Sequence, residues 1–202
     1  ESLLTTEQSR PDHPWFDAGE PPVVLGVGEL SRRKDFATLV RAFARLRSER
    51  EARLVLVGQG GEHGHLAALA RELGVAGDVD LVGFQSNPYP FMAHASVLAL
   101  SSRWEGLGFV LVEAMALGTP VVATDCPSGP RELLDEGRIG PLVPVGDSTA
   151  LANALVGVLA APPDREALRQ AAAPYGITAA SSAYAAELTS RAAGERVDPA
   201  RV

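Results

Sequence analysis

The sequence predicts a doubly wound α/β domain of the Rossmann-like class, a parallel sheet with helices on both faces. Short apolar runs of buried-strand type alternate with segments whose apolar residues recur at helical spacing. Val23–Val27 is the first such strand, and Phe36, Leu39 and Phe43 then follow on one helix face. Strands that alternate with helices at this spacing are joined by right-handed crossovers, so we expect them to run parallel.

The same alternation continues along the chain to about residue 160. The other predicted strands are Leu54–Val57, Val79–Val82, Val97–Leu100, Val121–Ala123 and Leu142–Val145. Helices are predicted around Leu66–Leu73, over Pro90–Ala95, after Gly108, and from Asp147 to about Ala160. In such a sheet the loops at the carboxyl ends of the strands gather at one edge, and ligands bind there.

The ends of the chain differ from this regular part. Residues 1–20 are polar, Pro-rich and without periodicity, which predicts a linker or tail. Residues 21–161 are predicted to form the Rossmann-like domain. Residues 162–202 are alanine-rich and broken at Pro174-Tyr175-Gly176, which predicts C-terminal helices that belong to the same domain.

Charge and composition exclude several classes of function. The 202 residues carry a formal charge of −7 and no basic block, which argues against nucleic acid or an anionic membrane surface as the main partner. No apolar run reaches the roughly 20 residues that a membrane-spanning helix needs, so we expect a cytoplasmic protein. Cys126 is the only cysteine, which excludes an internal disulfide and a cysteine metal cluster.

Lys34 is the only lysine in the chain, although there are 18 basic residues. Where almost every cation is arginine, the one lysine is a candidate for a role that a compact ammonium fills, such as contacting a phosphate. Chance retention of a surface lysine is the alternative.

The segment Ser101–Pro120 places two carboxylates around a glycine loop. The strand before it would deliver Glu105 to the carboxyl edge of the sheet, where Gly106 and Gly108 allow the backbone to approach a ligand. The following helix would offer free N–H groups to an anion and carry Glu113, whose carboxylate can accept hydrogen bonds from hydroxyls. This arrangement indicates a sugar-nucleotide site. Two solvated surface glutamates without function are the alternative.

Other motifs are weaker. Gly26 and Gly28 follow a strand but lack the third glycine of a dinucleotide fingerprint. Glu62, His63 and His65 are better explained as a solvated helix start than as a metal site, and no metal is expected.

Three further expectations concern the loops after the fourth and fifth strands. Trp104 is expected in the core or beneath the glycine loop. Cys126 is expected to be a small buried thiol rather than a nucleophile. Contact of Asp125–Arg131 with a sugar or phosphate is left open.

Five segments carry a family resemblance. They are Val27–Phe36, Leu54–Gly60, Gly83–Phe84, Ser102–Gly106 and Glu113–Glu132. In this order and at these spacings they resemble the C-terminal, nucleotide-sugar-binding half of the GT-B glycosyltransferases of family four, the glycosyl transferases group 1. These are bacterial retaining enzymes that use UDP-sugars or GDP-mannose. The resemblance covers roughly residues 14–160.

The resemblance implies roles for individual residues. Glu105 and the backbone of the following loop would lie against the donor sugar and the reacting phosphate, Lys34 would hold the diphosphate, and Glu113 would bind the ribose. The backbone around Phe84 would read the base. Glu105 and Lys34 are therefore the predicted catalytic residues. The predicted donor-binding set is Gly28, Lys34, Phe84, Glu105, Gly106, Leu107, Gly108, Phe109 and Glu113.

The sequence departs from the family pattern in one charge. The family has an arginine that pairs with the lysine to clamp the diphosphate, and this chain has Glu29 there. A carboxylate would repel the diphosphate by on the order of 1 kcal/mol or more. Arg32 or Arg33 is a candidate to replace the missing cation.

The resemblance also implies a second domain. A full GT-B enzyme has an N-terminal domain that supplies the acceptor site, and the chain is expected to be the C-terminal half, inactive alone. Any peripheral membrane contact would come only through that N-terminal domain. No cofactor is expected, because the nucleotide sugar is the substrate.

The sequence therefore predicts the donor-binding domain of a retaining glycosyltransferase that transfers a sugar from a nucleotide diphosphate sugar, UDP-sugar in preference to GDP-mannose. The acceptor would be a glycan or a lipid-linked glycan in polysaccharide biosynthesis. The main alternative is a non-catalytic nucleotide-sugar-binding or scaffolding module whose diphosphate clamp is impaired by Glu29. A sugar-nucleotide epimerase of related fold fits the glycine loop less well.

Overall fold

The computed structural model describes residues 8–176 and contains one six-stranded, all-parallel sheet. The strands are β1 Val23–Val27, β2 Arg53–Val57, β3 Val79–Gly83, β4 Val97–Leu100, β5 Val121–Thr124 and β6 Leu142–Val143. The α-helices are α1 Phe36–Glu49, α2 His63–Glu72, α3 Tyr89–His94, α4 Phe109–Ala116, α5 Pro130–Leu133, α6 Ser148–Ala160 and α7 Arg165–Ala172.

The strand order is β3-β2-β1-β4-β5-β6. The chain therefore winds outward in one direction from β1 to β3, then returns to the middle of the sheet and winds outward in the other direction from β4. This confirms the doubly wound fold. β4 and β5 are buried along their whole length, which explains why their sequences are continuous apolar runs rather than alternating ones.

Helices cover both faces of the sheet and form two cores. On the first face α1, α2 and α6 pack on the strands, with Leu39, Phe43 and Leu46 of α1 fully buried. On the second face α3, α4 and α7 do the same, with Met92 and Met115 buried. Burying a side chain of this size stabilises the fold by roughly 1.5–3 kcal/mol. The fold is thus held by two apolar layers that meet at the sheet.

Residues 13–16 correct the expectation of a tail. Pro14–Phe16 forms a turn of 3₁₀ helix, and Phe16 is buried against Phe91 of α3 with ring centroids 5.5 Å apart. Nδ1 of His13 accepts the amide hydrogen of Trp15, so Nε2 carries the ring proton and donates to Asp80 of β3 at 3.0 Å. The guanidinium of Arg53 lies 5.0 Å from the centre of the Trp15 ring. This segment is part of the packed domain.

The C-terminal prediction is tested only in its first part. Helix α7 begins after Asp164, whose carboxylate accepts a hydrogen bond from the amide of Ala167 at 2.8 Å. Leu168 and Ala172 bury one side of α7 in the core of the second face. A 3₁₀ turn at Ala173–Tyr175 follows, at the predicted break. The second predicted helix lies outside the described residues.

Within the described residues, no helix is long and apolar enough to cross a membrane.

Candidate functional site

The candidate site lies where the winding direction of the sheet reverses. β1 and β4 are neighbours, yet their connections leave toward opposite edges of the sheet, so a crevice opens beyond their carboxyl ends. The loop 28–35 after β1 and the loop 101–108 after β4 border this crevice. The first loop contains Lys34 and the second contains Glu105, so the topology alone brings the two predicted catalytic residues to one place.

Hydrogen bonds tie these two loops together. The amide of Arg103 donates to the carbonyl of Arg33 at 2.8 Å, and the buried hydroxyl of Ser101 donates to the carbonyl of Lys34 at 2.8 Å. Both bonds link residues next to the two functional side chains. The ammonium of Lys34 and the carboxylate of Glu105 are therefore held in a fixed relation by the backbone.

Glu105 is the centre of a buried ionic cluster. Its carboxylate accepts hydrogen bonds from Lys34 Nζ at 2.6 Å, from Arg33 Nη1 at 3.0 Å and from the Ser102 hydroxyl at 2.5 Å. The side chains of Glu105 and Lys34 are only 6% and 11% exposed. Burial alone would raise the pKa of Glu105, but the hydrogen bonds from Lys34 and Ser102 and the nearby positive charges hold it below its ordinary value. Glu105 is thus fixed in its charged form.

The side chain of Lys34 passes close to the backbone of Gly28. Gly28 has a φ of +147°, and a Cβ atom there would lie 2.9 Å from Cε of Lys34. Any side chain at this position would push the lysine away from Glu105. The predicted importance of Gly28 therefore has a local cause, which is close passage of the lysine stem over the backbone.

Glu113 lies in a different environment. It is on α4 and accepts a hydrogen bond from the Tyr89 hydroxyl at 3.3 Å. Burial raises the pKa of Glu113, and the bond from Tyr89 opposes this only in part. Among the described residues, no cation is paired with it. Its carboxylate keeps acceptor capacity for hydroxyl groups of a ligand.

The glycine loop leads directly into α4. Gly108 adopts a φ of +83° immediately before the first residue of the helix, Phe109. Gly106 is exposed and Leu107 is half-buried beside it. The first turn of α4 thus follows directly on the loop that carries Glu105, and free N–H groups at a helix start can bind an anion.

Two aromatic rings stand exposed beside these groups. Phe84, after β3, is 66% exposed, and Phe109 is 63% exposed. Large apolar rings in solvent indicate surfaces that a ligand or another part of the protein covers. Both were predicted as donor-binding residues, and both are accessible for that role.

The structure distinguishes the three residues whose role was open. Glu29 is exposed, and its side chain makes no ion pair within the described part of the chain. Arg32 is also exposed and is not paired with Glu105, whereas Arg33 binds the carboxylate beside Lys34. Of the two candidates to replace the missing cation, Arg33 is the one that shares a site with Lys34.

Two expectations for nearby residues have different outcomes. Trp104 is 53% exposed, so the prediction of a core position was wrong. Cys126 is buried, and burial raises the pKa of its thiol, which confirms a structural thiol. Arg131 forms ion pairs with Asp125 and Glu136.

Sequence reasoning missed Ser102 and Tyr89. Ser102 lies three residues before Glu105, a spacing at which a hydroxyl can reach a carboxylate, so the motif itself held a signal. Tyr89 is 24 residues from its partner, and only the packing of α3 against α4 brings them together.

Comparison with known proteins identifies the family of this chain. The model of the family described as glycosyl transferases group 1 matches residues 8–174. The chain belongs to this family. It is 37% identical over 158 residues to the lipopolysaccharide core biosynthesis glycosyltransferase LpsE of Rhizobium meliloti, an alignment that covers 78% of this chain and 44% of LpsE.

Solved structures of glycosyltransferases share the fold. The apo form of the lipopolysaccharide outer core galactosyltransferase WaaB superposes with a TM-score of 0.78 and 26% identity, over 90% of this chain and 51% of WaaB. HepE of Anabaena, in complex with UDP and glucose, superposes with a TM-score of 0.67 and 30% identity, over 75% of this chain and 42% of HepE. The chain thus spans about half the length of these glycosyltransferases, and the predicted GT-B fold is confirmed.

Proposed function

We propose that this chain is the donor-binding domain of a retaining glycosyltransferase that transfers a sugar from a UDP-sugar to a glycan or lipid-linked acceptor. The observation that carries the proposal is the buried pairing of Lys34 with Glu105 at the switch point, followed by the helix α4 that carries Glu113 one turn after its start. This arrangement offers a cation for a diphosphate and two carboxylates for hydroxyl groups.

Lys34 and Arg33 would bind the diphosphate. The two cations share one carboxylate, so the cluster keeps a net positive charge toward the crevice. An ammonium has three donors, and Lys34 can hold Glu105 with one and a phosphate oxygen with another. A cation at this place stabilises the negative charge that develops on the departing nucleoside diphosphate. The reaction would then depend on positioning and leaving-group stabilisation, without a metal.

The two carboxylates would divide the rest of the donor between them. Glu113, with free acceptor capacity, would bind the ribose hydroxyls, and the backbone around Phe84 would contact the base. Glu105, with the loop 106–109, would contact the donor sugar. HepE, 30% identical, binds UDP and glucose, which supports a UDP-sugar as the donor of this chain.

The acceptor site would lie on a separate N-terminal GT-B domain that faces this crevice, and this chain alone would be inactive. Its relative LpsE is named for lipopolysaccharide core biosynthesis, which supports a glycan or lipid-linked acceptor. The transfer would take place in the cytoplasm. Contact with a membrane would come through the N-terminal domain.

The alternative is a non-catalytic module in which Glu29 disables the diphosphate clamp. The position of Arg33 favours the catalytic proposal, because a second cation is present beside Lys34 despite Glu29. The two proposals differ in whether the chain binds a nucleoside diphosphate at all.

Calorimetric titration with UDP, GDP and ADP tests the proposal. We expect UDP to bind with a micromolar to low millimolar Kd, and Glu113→Ala to weaken this at least about tenfold, a loss of about 1.4 kcal/mol. Glu72→Ala, at an exposed glutamate of α2 far from the crevice, is the matched control and should leave the Kd unchanged. No binding of any nucleotide by the folded chain would refute the donor-site proposal.

A further inference from the structure

A second cavity opens next to the ionic cluster, on the side away from Glu113. Its volume is about 510 Å³, within the range of small-molecule sites, roughly 300–1,000 Å³. The starts of α1 and α2 form two of its walls, and Arg103 and Trp104 form the third. None of the predicted donor-binding residues lines it. Arg32, one of the two candidates to replace the missing cation, does line it.

The position of this cavity relative to the proposed donor site follows from the two faces of the sheet. Tyr89 and Glu113 belong to α3 and α4 on the second face, whereas α1 and α2 cover the first face. The Lys34–Glu105 pair stands between them, at the carboxyl edge. Arg103 and Trp104 of the lining immediately precede Glu105 in the chain. Arg32 of the lining immediately precedes Arg33 and Lys34. The cavity is therefore adjacent to the ionic cluster.

The lining of the cavity combines an aromatic ring with equal numbers of guanidinium and carboxylate groups. Trp104 is 53% exposed and lines the cavity, so its indole is accessible to a ligand there. Arg103 is held by Asp35 at 3.1 Å and is itself half exposed, so it keeps free N–H groups. The other two charged side chains of the lining, Arg32 and Glu62, make no ion pair within the described part of the chain. Positive and negative groups cancel, which does not favour a strongly charged ligand.

A buried hydroxyl in the wall is also without a partner. The Oγ atom of Ser31 lies out of solvent and, among the described residues, has no hydrogen-bond partner. Leaving such a group unsatisfied costs about 1–3 kcal/mol. Because this oxygen is out of solvent, it would reach a ligand in the cavity only if the Ser31 side chain changed rotamer.

We infer that this cavity is a subsite for a neutral pyranose ring of the acceptor glycan. A pyranose has one face of C–H groups, which suits the indole of Trp104. Its rim of hydroxyls can both donate and accept, which suits a lining of guanidinium donors and carboxylate acceptors. The inference rests on the proposed function, because a sugar held here would lie across the Lys34–Glu105 pair from the nucleoside. The donor-binding domain would thereby hold part of the acceptor as well.

The test uses the whole chain saturated with UDP and the probe methyl α-D-galactopyranoside, followed by saturation-transfer NMR, with methyl α-D-glucopyranoside as a second probe. We expect millimolar binding of at least one glycoside. Trp104→Ala should weaken it at least about tenfold, whereas Trp104→Phe, which keeps an aromatic face, should stay within about threefold. Arg32→Ala should weaken binding about threefold or more, and Arg45→Ala, at an exposed arginine of α1 outside the cavity, should not change it.

The outcomes separate this inference from the proposed function. Glycoside binding that is unchanged in a folded Trp104→Ala variant, or absent from the wild-type chain, would overturn the subsite. Displacement of the glycoside by UDP-galactose or UDP-glucose, but not by UDP, would assign the cavity to the donor sugar and overturn the acceptor role. Failure of UDP to bind, with glycoside binding intact and sensitive to Trp104→Ala, would refute the donor function and leave a sugar site in place.

Discussion

Glu105 and Glu113 are two carboxylates eight residues apart, and their surroundings are opposite. Glu105 is surrounded by Lys34, Arg33 and Ser102, which hold its pKa below the ordinary value. Glu113 has one neutral partner, the Tyr89 hydroxyl, and burial raises its pKa. The same residue type in one motif is thus paired with two cations in the first case and hydrogen-bonded to a neutral hydroxyl in the second. The difference comes from the neighbouring segments: the loop after β1 supplies two cations to Glu105, whereas α3 supplies a hydroxyl to Glu113.

Removal of the Glu105 carboxylate should lower the stability of the fold far more than removal of the Glu113 carboxylate. Glu105→Ala leaves the buried ammonium of Lys34 without its partner, and we expect a loss of about 3 kcal/mol in the free energy of unfolding. Glu113→Ala removes no ion pair and should cost less than about 1 kcal/mol. Urea denaturation of both variants measures this. Equal losses in the two would show that the ionic cluster does not stabilise the fold.

The pH dependence of UDP binding should follow Glu113 and not Glu105. Since the pKa of Glu113 is raised above 4.5, its carboxylate takes up a proton as the pH falls, while Glu105 is still charged. Affinity for UDP should therefore begin to fall above pH 4.5 and lose up to about tenfold per pH unit below the pKa. Calorimetry from pH 8 to pH 5 tests this.

Glu113→Gln is the control for that profile, because titration of the UDP phosphate affects it equally. A pH profile of the same shape in Glu113→Gln would assign the dependence to the nucleotide and contradict the role of Glu113.

Tyr89 should act through Glu113. Tyr89→Phe removes the one hydrogen bond that opposes the effect of burial, so the pKa of Glu113 should rise further and the loss of UDP affinity should move to higher pH. At pH 8 the Kd should increase only about threefold. A uniform loss at all pH values would indicate that Tyr89 contacts the ligand directly or supports the fold.

Glu29 should matter least, because Arg33 already stands beside Lys34. We expect Glu29→Arg to improve the Kd for UDP by less than about threefold, since the exposed position is well screened. A gain of tenfold or more would show that the clamp is impaired and would favour the non-catalytic alternative.

The sequence was sufficient for the fold class because each strand, and each α-helix except α5, follows a local pattern. The short helix α5 at Pro130–Leu133 was not predicted. The run Val97–Leu100 is too short and too apolar for anything but a buried strand, and Asp147 marks the start of α6 as a side-chain cap. Lys34 and Glu105 were found through motifs, and the parallel topology explains why they meet. Those inferences needed no knowledge of contacts between distant residues.

The missed features depend on such contacts. The His13–Asp80 hydrogen bond joins residues 67 positions apart, and the sequence around His13 contains no pattern that predicts this partner. Trp104 was placed in the core because large aromatic residues next to strands usually are, yet the loop turns it into solvent. Side-chain direction in a loop is set by tertiary packing, which a local pattern does not contain.

The packing of residues 13–16 has a mechanical consequence. His13 and Trp15 attach the incoming chain to β3 and β2, two strands at one margin of the sheet, and Phe16 wedges it into the interior. Because residues 13–16 are attached to the sheet at three points, a force on the chain before residue 13 would move the domain as one body and would not be taken up by a flexible linker at residues 13–16.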